Sequence, residues 1–352
     1  MINVIHIVGA RPQFMKLMPL YRKLKSKSFY QEILHTGQHF DINMSEVFFD
    51  ELEIPLPDYN LNINSLGHGA MTGKMLQKIE EIISKKKYDY VIVYGDTNST
   101  LAGAIASKKC KIKLVHIEAG VRNYDMDMPE EINRVITDRI SDLLFCPTKK
   151  AFFNLEKEGY KNLSSNFYNS GDLMFDTLKL SLTKIKKIKK ENFVLFTLHR
   201  AENLMEKNLK SIIESVNEIS KEIKVIFPIH PSTKNKLKEY KINPVFELME
   251  PQGYFDFIGL LANCKFLITD SGGAVRESYW LKKPSLSILN QPVWPELNEI
   301  GVSINSIANK QSILNSYKSL EHIDTSQNIE IFGNGESARL IVDQIIKNYE
   351  NQ

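Results

Sequence analysis

The sequence predicts an α/β chain with two doubly wound, Rossmann-like domains. Short β-branched or aromatic runs alternate with longer helical patterns, the signature of parallel sheets covered by helices. The alternation proceeds to about residue 165, breaks, and restarts at Phe193. The 352 residues also exceed what one typical core organises, so two domains are expected.

In the first half the strand-like runs are 4–8, 32–36, 90–94, 114–117 and 143–146, with helical patterns over 16–27, 44–52, 71–86 and 101–108. Ligands of such sheets bind where the strands end. Those ends carry Gly9-Ala10-Arg11-Pro12, Thr36-Gly37-Gln38-His39, Gly95-Asp96-Thr97 and Glu118-Ala119-Gly120. In the second half, 193–197 leads into Leu198-His199-Arg200 and 224–229 into His230-Pro231. Further on, 245–248 leads into Pro251-Gln252, 266–268 into Asp270-Ser271-Gly272-Gly273, and 285–289 into Asn290-Gln291-Pro292. Helical patterns fill 208–219 and 254–262, and a last one over 337–348 follows Gly333-Asn334-Gly335. Two such halves imply a central cleft faced by both sets of strand ends, the nucleotide-sugar transferase B (GT-B) architecture. The expected domains are 1–170 and 171–335, with a C-terminal helix over 336–352 packing back on the first.

Bulk properties narrow the partners. A net charge of +3, from 45 basic and 42 acidic residues interspersed, leaves no electrostatic footprint for nucleic acid. The most basic run, 184–190, alternates Lys with Ile between the two halves and reads as a solvated helix face or linker. Cys110, Cys146 and Cys264 are widely spaced beside apolar sequence, which suits buried thiols better than disulfides or zinc. No apolar run approaches the ~20 residues of a membrane helix, and no charged-then-apolar leader precedes the first strand. The expected compartment is cytoplasmic, without membrane association.

Motifs restrict the chemistry further. No GxGxxG follows the first strand, and no P-loop, HExxH or paired-cysteine zinc signature occurs. The expected chemistry therefore uses acids, bases and oriented backbone, with neither metal nor cofactor. The Ser271-Gly272-Gly273 turn opens a helix, and such a helix start presents N–H groups to an anion. Glu277, one turn on, suits a sugar hydroxyl. Asp96, Glu118, Glu130 and Glu131 are candidate acids and bases. Asp96 equally suits a cap on the next helix, and the two Glu residues after Pro129 suit a helix dipole. Arg11, Lys16, His199 and His230 form a cationic set at successive strand ends, although a lone His is more often structural.

Read in order, these segments resemble the non-hydrolysing UDP-N-acetylglucosamine 2-epimerases. The resemblance rests on Gly9-Ala-Arg-Pro-Gln-Phe-Met-Lys16, Thr36-Gly-Gln-His39, Gly95-Asp-Thr-Asn-Ser-Thr100, Glu118-Ala-Gly120 and Pro129-Glu-Glu-Ile-Asn-Arg134. It continues through Leu198-His-Arg-Ala-Glu-Asn203, Pro228-Ile-His-Pro231, Asp270-Ser-Gly-Gly273 with Glu277, and Phe332-Gly-Asn-Gly335. The family likeness implies that UDP sits mostly on the second domain. Ser271, Gly272 and Gly273 would then hold the diphosphate, Glu277 the ribose, and Gln252 with Phe257 the uracil. His199 would contact phosphate, and Arg11 and Lys16 would reach the ligand from the first domain. Asp96, Glu118, Glu130 and Glu131, with His199, would be the catalytic set. The implied reaction interconverts UDP-GlcNAc and UDP-ManNAc by eliminating UDP to a 2-acetamidoglucal and adding it back. A homodimer is compatible with this reading.

Departures from the family pattern bear on the substrate. Where well-known members read Thr-Glu-Arg-Pro-Glu, this chain reads Gln291-Pro292-Val293-Trp294-Pro295-Glu296. Trp294 in the Arg place, with Gln13 where others carry Glu, resembles the subgroup acting on UDP-2,3-diacetamido-2,3-dideoxyglucuronate. That subgroup usually keeps Asp-Glu-Thr-Glu-Trp, which this chain lacks. The loop 123–128 adds two acids and no Arg, which suits an uncharged sugar. A GT-B glycosyltransferase or a non-catalytic UDP-sugar-binding protein are the remaining alternatives.

Overall fold

A computed structural model describes residues 1–38, 49, 51–185, 192–326 and 330–351. The helical pattern over 44–52 and most of the Lys-rich run fall largely outside those residues. The chain divides into two compact units, Met1–Leu180 with Glu330–Gln352, and Ser181–Ile329.

The first unit holds a seven-stranded sheet of β1 (Ile2–Val8), β2 (Phe29–His35), β3 (Tyr59–Asn60), β4 (Tyr90–Tyr94), β5 (Lys113–Ile117), β6 (Leu143–Cys146) and β7 (Asn166–Asn169). Their order is β3-β2-β1-β4-β5-β6-β7 and the pairings are parallel. Chain direction across the sheet reverses between β1 and β4, so Gly9 and Gly95 end neighbouring strands at a topological switch point. Helices α1 (Arg11–Lys25), α2 (His68–Ile83), α3 (Asn98–Lys109), α4 (Pro129–Ile140) and α5 (Lys149–Lys157) follow β1, β3, β4, β5 and β6. Covering the sheet on both faces buries every residue of β4, which is why that strand is a continuous apolar run. Gly103 on α3 permits this packing, since a Cβ there would lie 2.8 Å from Ile7 Cδ1.

The boundary lies within α6 (Leu173–Leu182), inside the stretch from Ser170 through the Lys-rich run that joins the two halves of the sequence. The first part of α6 is tied to the first unit. Thr177 donates to the Met15 carbonyl, and the buried Asp176 carboxylate accepts the Ser337 and Ala338 N–H groups. Those two amides open the C-terminal helix (Ser337–Glu350), which packs on α1; Tyr90 donates to Asn348 at 2.9 Å.

His6 sits fully buried in β1, with Nδ1 2.7 Å from the Tyr94 hydroxyl and Nε2 3.1 Å from Gln31 Oε1. Burial lowers its pKa to about 4, against the opposing pull of Gln31. An unfolded chain takes up this proton below about pH 6.5, whereas the folded chain does so only near 4. Stability from this group is therefore full above pH 6.5 and falls by roughly 3 kcal/mol as pH drops to 4. Urea midpoints measured over that window should decline less steeply in His6→Gln than in wild type; parallel curves would exclude His6 as the source.

The second unit repeats the plan with β8 (Phe193–Thr197), β9 (Lys224–Pro228), β10 (Glu247–Met249), β11 (Phe266–Thr269), β12 (Ser285–Ile288) and β13 (Ser303–Ser306). The parallel order is β10-β9-β8-β11-β12-β13, with the switch point between β8 and β11. Its helices include α7 (Glu206–Ile219), α8 (Pro231–Glu239), α9 (Tyr254–Asn263), α10 (Gly272–Trp280), α11 (Pro295–Glu299) and α12 (Lys310–Ser319). Leu209, Ile212, Ile213 and Val216 of α7 bury against Val194, Phe196 and Phe227, forming a separate core. Among the described residues no helix is long and apolar enough to cross a membrane.

Candidate functional site

In the first unit the carboxylates converge on two turns, after β4 and after β5. Gly95 (φ 62°), Glu118 (φ 72°) and Gly120 (φ 76°) all adopt left-handed backbone. Glycine is required at 120, where a Cβ would lie 2.3 Å from the Ala151 carbonyl oxygen. Glu118 Oε1 lies 2.7 Å from Lys16 Nζ, which α1 delivers from below with 4% of its side chain exposed. A Cβ on Gly95 would lie 3.4 Å from both of those atoms, so the glycine leaves room for the pair.

Asp96 pairs with Arg134 of α4, whose other arm bonds Glu131 Oε2 at 2.9 Å. Burial opposes the Arg134 charge, but Asp96 and Glu131 outweigh it and hold the guanidinium above its ordinary pKa. The cap of α3 is Thr97, whose hydroxyl accepts from Thr100 N, so the Asp96 side chain is not spent on capping. Its backbone is fixed instead, by Asn133 Nδ2 donating to the Asp96 carbonyl at 2.8 Å.

The neighbouring residues differ sharply in exposure. Glu131 is buried and accepts the N–H groups of Asn123 and Tyr124, thereby closing the loop before α4. Glu130, beside it in the first turn, is exposed. Arg11 opens α1 half-buried. Gln13 is fully committed: Oε1 accepts from Gly9 and Ala10, and Nε2 reaches Tyr94 O, Thr97 and Thr100. A Glu there could not donate to the Tyr94 carbonyl.

In the second unit the organising group is Asp270, which is fully buried after β11. Its carboxylate accepts the N–H groups of His199 and Arg200, Asn203 Nδ2 at 3.2 Å, and His199 Nδ1 at 3.0 Å. Burial pushes the Asp270 pKa up, but the His199 ring and the backbone N–H groups hold it below the ordinary value. His199 is thus anchored by one ring nitrogen with about half its side chain exposed. Ser271 caps α10 by accepting from Ala274 N, and Gly272 and Gly273 form the first turn, half-buried. That turn leaves N–H groups without intrahelical acceptors.

Trp294 braces the turn from the side. Its Nε1 donates to the Gly272 carbonyl at 3.0 Å, and the Arg276 guanidinium lies 4.4 Å from its ring centroid. Glu277 is buried on the same helix. Gln252 donates to the Glu250 carbonyl at 2.7 Å, and Phe257 lies half-buried in the first turn of α9. His230, the other candidate histidine, caps α8 by accepting from Ser232 N.

The chain matches known proteins over nearly its whole length. Residues 22–346 match the family model described as UDP-N-acetylglucosamine 2-epimerase. The chain belongs to the UDP-N-acetylglucosamine 2-epimerase family. It is 44% identical to a UDP-N-acetylglucosamine 2-epimerase homolog of Methanococcus maripaludis, covering 97% of this chain and 98% of that protein. It is 39% identical to the UDP-2,3-diacetamido-2,3-dideoxy-D-glucuronate 2-epimerase of Pseudomonas aeruginosa, covering 98% and 99%. A crystal structure of Methanocaldococcus jannaschii UDP-GlcNAc 2-epimerase in complex with UDP-GlcNAc and UDP superposes with a TM-score of 0.92 at 38% identity, covering 98% of this chain and all of that one.

Within this epimerase fold, the candidates separate into two groups. Arg11, Lys16, Asp96, Glu118, Glu130 and Glu131 share the strand ends of the first unit; His199, Ser271, Gly272, Gly273 and Glu277 share those of the second. Gln252 and Phe257 flank the start of α9. Sequence reading singled out neither Arg134 nor Asp270 as a site residue, although both lie inside quoted motifs. Their signal was indirect: a buried acid or base in a polar turn needs a partner, and the partner is distant in sequence.

Proposed function

We propose that the chain is a non-hydrolysing UDP-N-acetylglucosamine 2-epimerase, interconverting UDP-GlcNAc and UDP-ManNAc. The observation that carries this reading is a pair of carboxylates on adjoining turns, each paired with a largely buried cation. Glu118 pairs with Lys16 and Asp96 with Arg134, in a chain of the epimerase family. C2 of the sugar is not next to a carbonyl, so its proton cannot simply be removed and returned. One carboxylate takes the C2 proton while the C1–O bond breaks, its electron pair leaving on the UDP oxygen. The new C1–C2 double bond is that of the 2-acetamidoglucal. Re-addition of UDP at C1 with protonation of C2 on the opposite face completes epimerisation.

Asp96 and Glu118 are the proposed acid and base, with Glu130 the third, exposed carboxylate. Glu131 acts through Arg134 and the loop. Ser271, Gly272 and Gly273, with His199, hold the diphosphate and stabilise its charge on departure. Glu277 binds the ribose, and Gln252 and Phe257 frame the uracil.

A second substrate, UDP-2,3-diacetamido-2,3-dideoxyglucuronate, is favoured by the Pseudomonas relative and by Trp294. Against it, Lys16, Arg122 and Arg134 are each paired with carboxylates of the chain itself, whereas a uronate carboxyl would call for a cation. The test is incubation with each sugar in deuterated water, followed by NMR at C2. Deuterium and manno product from UDP-GlcNAc are expected; incorporation into neither sugar would overturn the epimerase reading.

A further inference from the structure

Behind the Asp96 and Glu118 turns lies a side-chain pair that the chemistry above does not use. His116 on β5 and Asp138 on α4 are both fully buried, with Nδ1 2.6 Å from Oδ1. The other ring nitrogen, Nε2, lies 2.8 Å from the Gly95 carbonyl oxygen. Asp138 Oδ2 accepts the Gly120 N–H at 3.0 Å and Arg122 Nη1 at 2.7 Å. Arg122 is itself held by Glu158, through Nε and Nη2 at 2.9 Å each.

A carboxylate and a carbonyl are both acceptors, so the His116 ring donates from both nitrogens. One ion pair thereby grips two backbone groups: the carbonyl just before Asp96 and the amide two residues after Glu118. The gripped segments are the left-handed ones, at Gly95, Glu118 and Gly120. For Glu118 that conformation is strained and persists only where its surroundings impose it. Burial pushes the Asp138 pKa up, but the His116 and Arg122 charges outweigh it and keep the group a carboxylate.

We propose that His116 and Asp138 are positioning residues of the carboxylate site: their buried pair aims Asp96 through the Gly95 carbonyl and Glu118 through the Gly120 N–H. This rests on the epimerase reading of that site, and neither residue touches the sugar. Asp138→Asn separates the contacts of the pair from its charge. An Asn can donate to Nδ1 and still accept from Gly120, leaving Nε2–H for Gly95, so every contact survives without the charge.

The test compares Asp138→Asn, Asp138→Ala and His116→Ala in C2 exchange and in backbone amide exchange by mass spectrometry. In the two alanine variants kcat should fall about 100-fold, the scale of a small misplacement of reacting groups. KM should stay within about threefold, and Asp138→Asn should recover kcat to within about tenfold of wild type. Amides of 95–97 and 118–121 should exchange faster in the alanine variants only, with 192–326 unchanged. A rise in KM with kcat intact, or a loss of kcat with those amides still protected, would overturn the proposal. So would loss of protection throughout the first unit in all three variants. Should wild type exchange neither sugar, the epimerase reading fails, while the amide comparison still decides whether the pair holds the turns.

Discussion

Glu118→Gln should lower C2 exchange by about 10²–10⁴-fold, the usual contribution of one general acid or base. Gln keeps the size of the side chain but can neither take nor return a proton. The same change strands a cation, because Glu118 pairs with Lys16 at 2.7 Å and only 3% of Lys16 is exposed. Removing one partner of a buried pair costs about 3–5 kcal/mol, so a lower melting temperature is expected as well. Lost activity alone would therefore not separate chemistry from stability. The double variant Lys16→Met, Glu118→Gln removes the stranded charge and should regain most of the melting temperature while exchange stays abolished. Calorimetric UDP affinity of the single variant should change little. Exchange at the wild-type rate would remove Glu118 from the mechanism.

Much of the fold was legible because parallel strands buried on both faces are continuous apolar runs. β4 and β8 are of that kind. β7 (Asn166–Asn169) and β13 (Ser303–Ser306) are not: they lie at sheet edges, are four residues long, and begin and end with Asn or Ser, so their apolar signal is too short to stand out from a loop. β3, two residues long, offers no periodicity at all. In the site, the glycine turns were legible, since left-handed backbone favours Gly. Glu118 at φ 72° was not, because its strain is imposed by contacts far along the chain. Pairings such as Asp96 with Arg134 or His116 with Asp138 were equally hidden: spacing along the chain does not state which side chains meet across strand ends. Asp96 shows the resulting ambiguity. Its position suited a cap, and only the Thr97 hydroxyl bonded to Thr100 N shows that another residue caps the helix.

Asp270→Ala should have the larger effect in the second unit, although Asp270 itself, being fully buried, does not reach a ligand. Four donors converge on its carboxylate, two of them the backbone N–H groups of His199 and Arg200. Hydrogen bonds to a charged group contribute about 1.5–3 kcal/mol each, and buried donors left without an acceptor cost about 1–3 kcal/mol. Alanine therefore releases the turn after β8 and the His199 ring together. If His199 contacts the diphosphate as proposed, UDP affinity should fall by about 10–100-fold, the equivalent of one charged hydrogen bond. Asp270→Asn is the sharper variant, because it preserves shape while turning one acceptor into a donor against donors. The pH dependence has a definite sign. The Asp270 pKa is held below 3.8, so its contribution to stability is full above that value and is lost as pH falls further. Urea midpoints below pH 4 should thus decline in wild type and less so in Asp270→Asn. Wild-type UDP affinity in Asp270→Asn would show that His199 does not depend on this anchor.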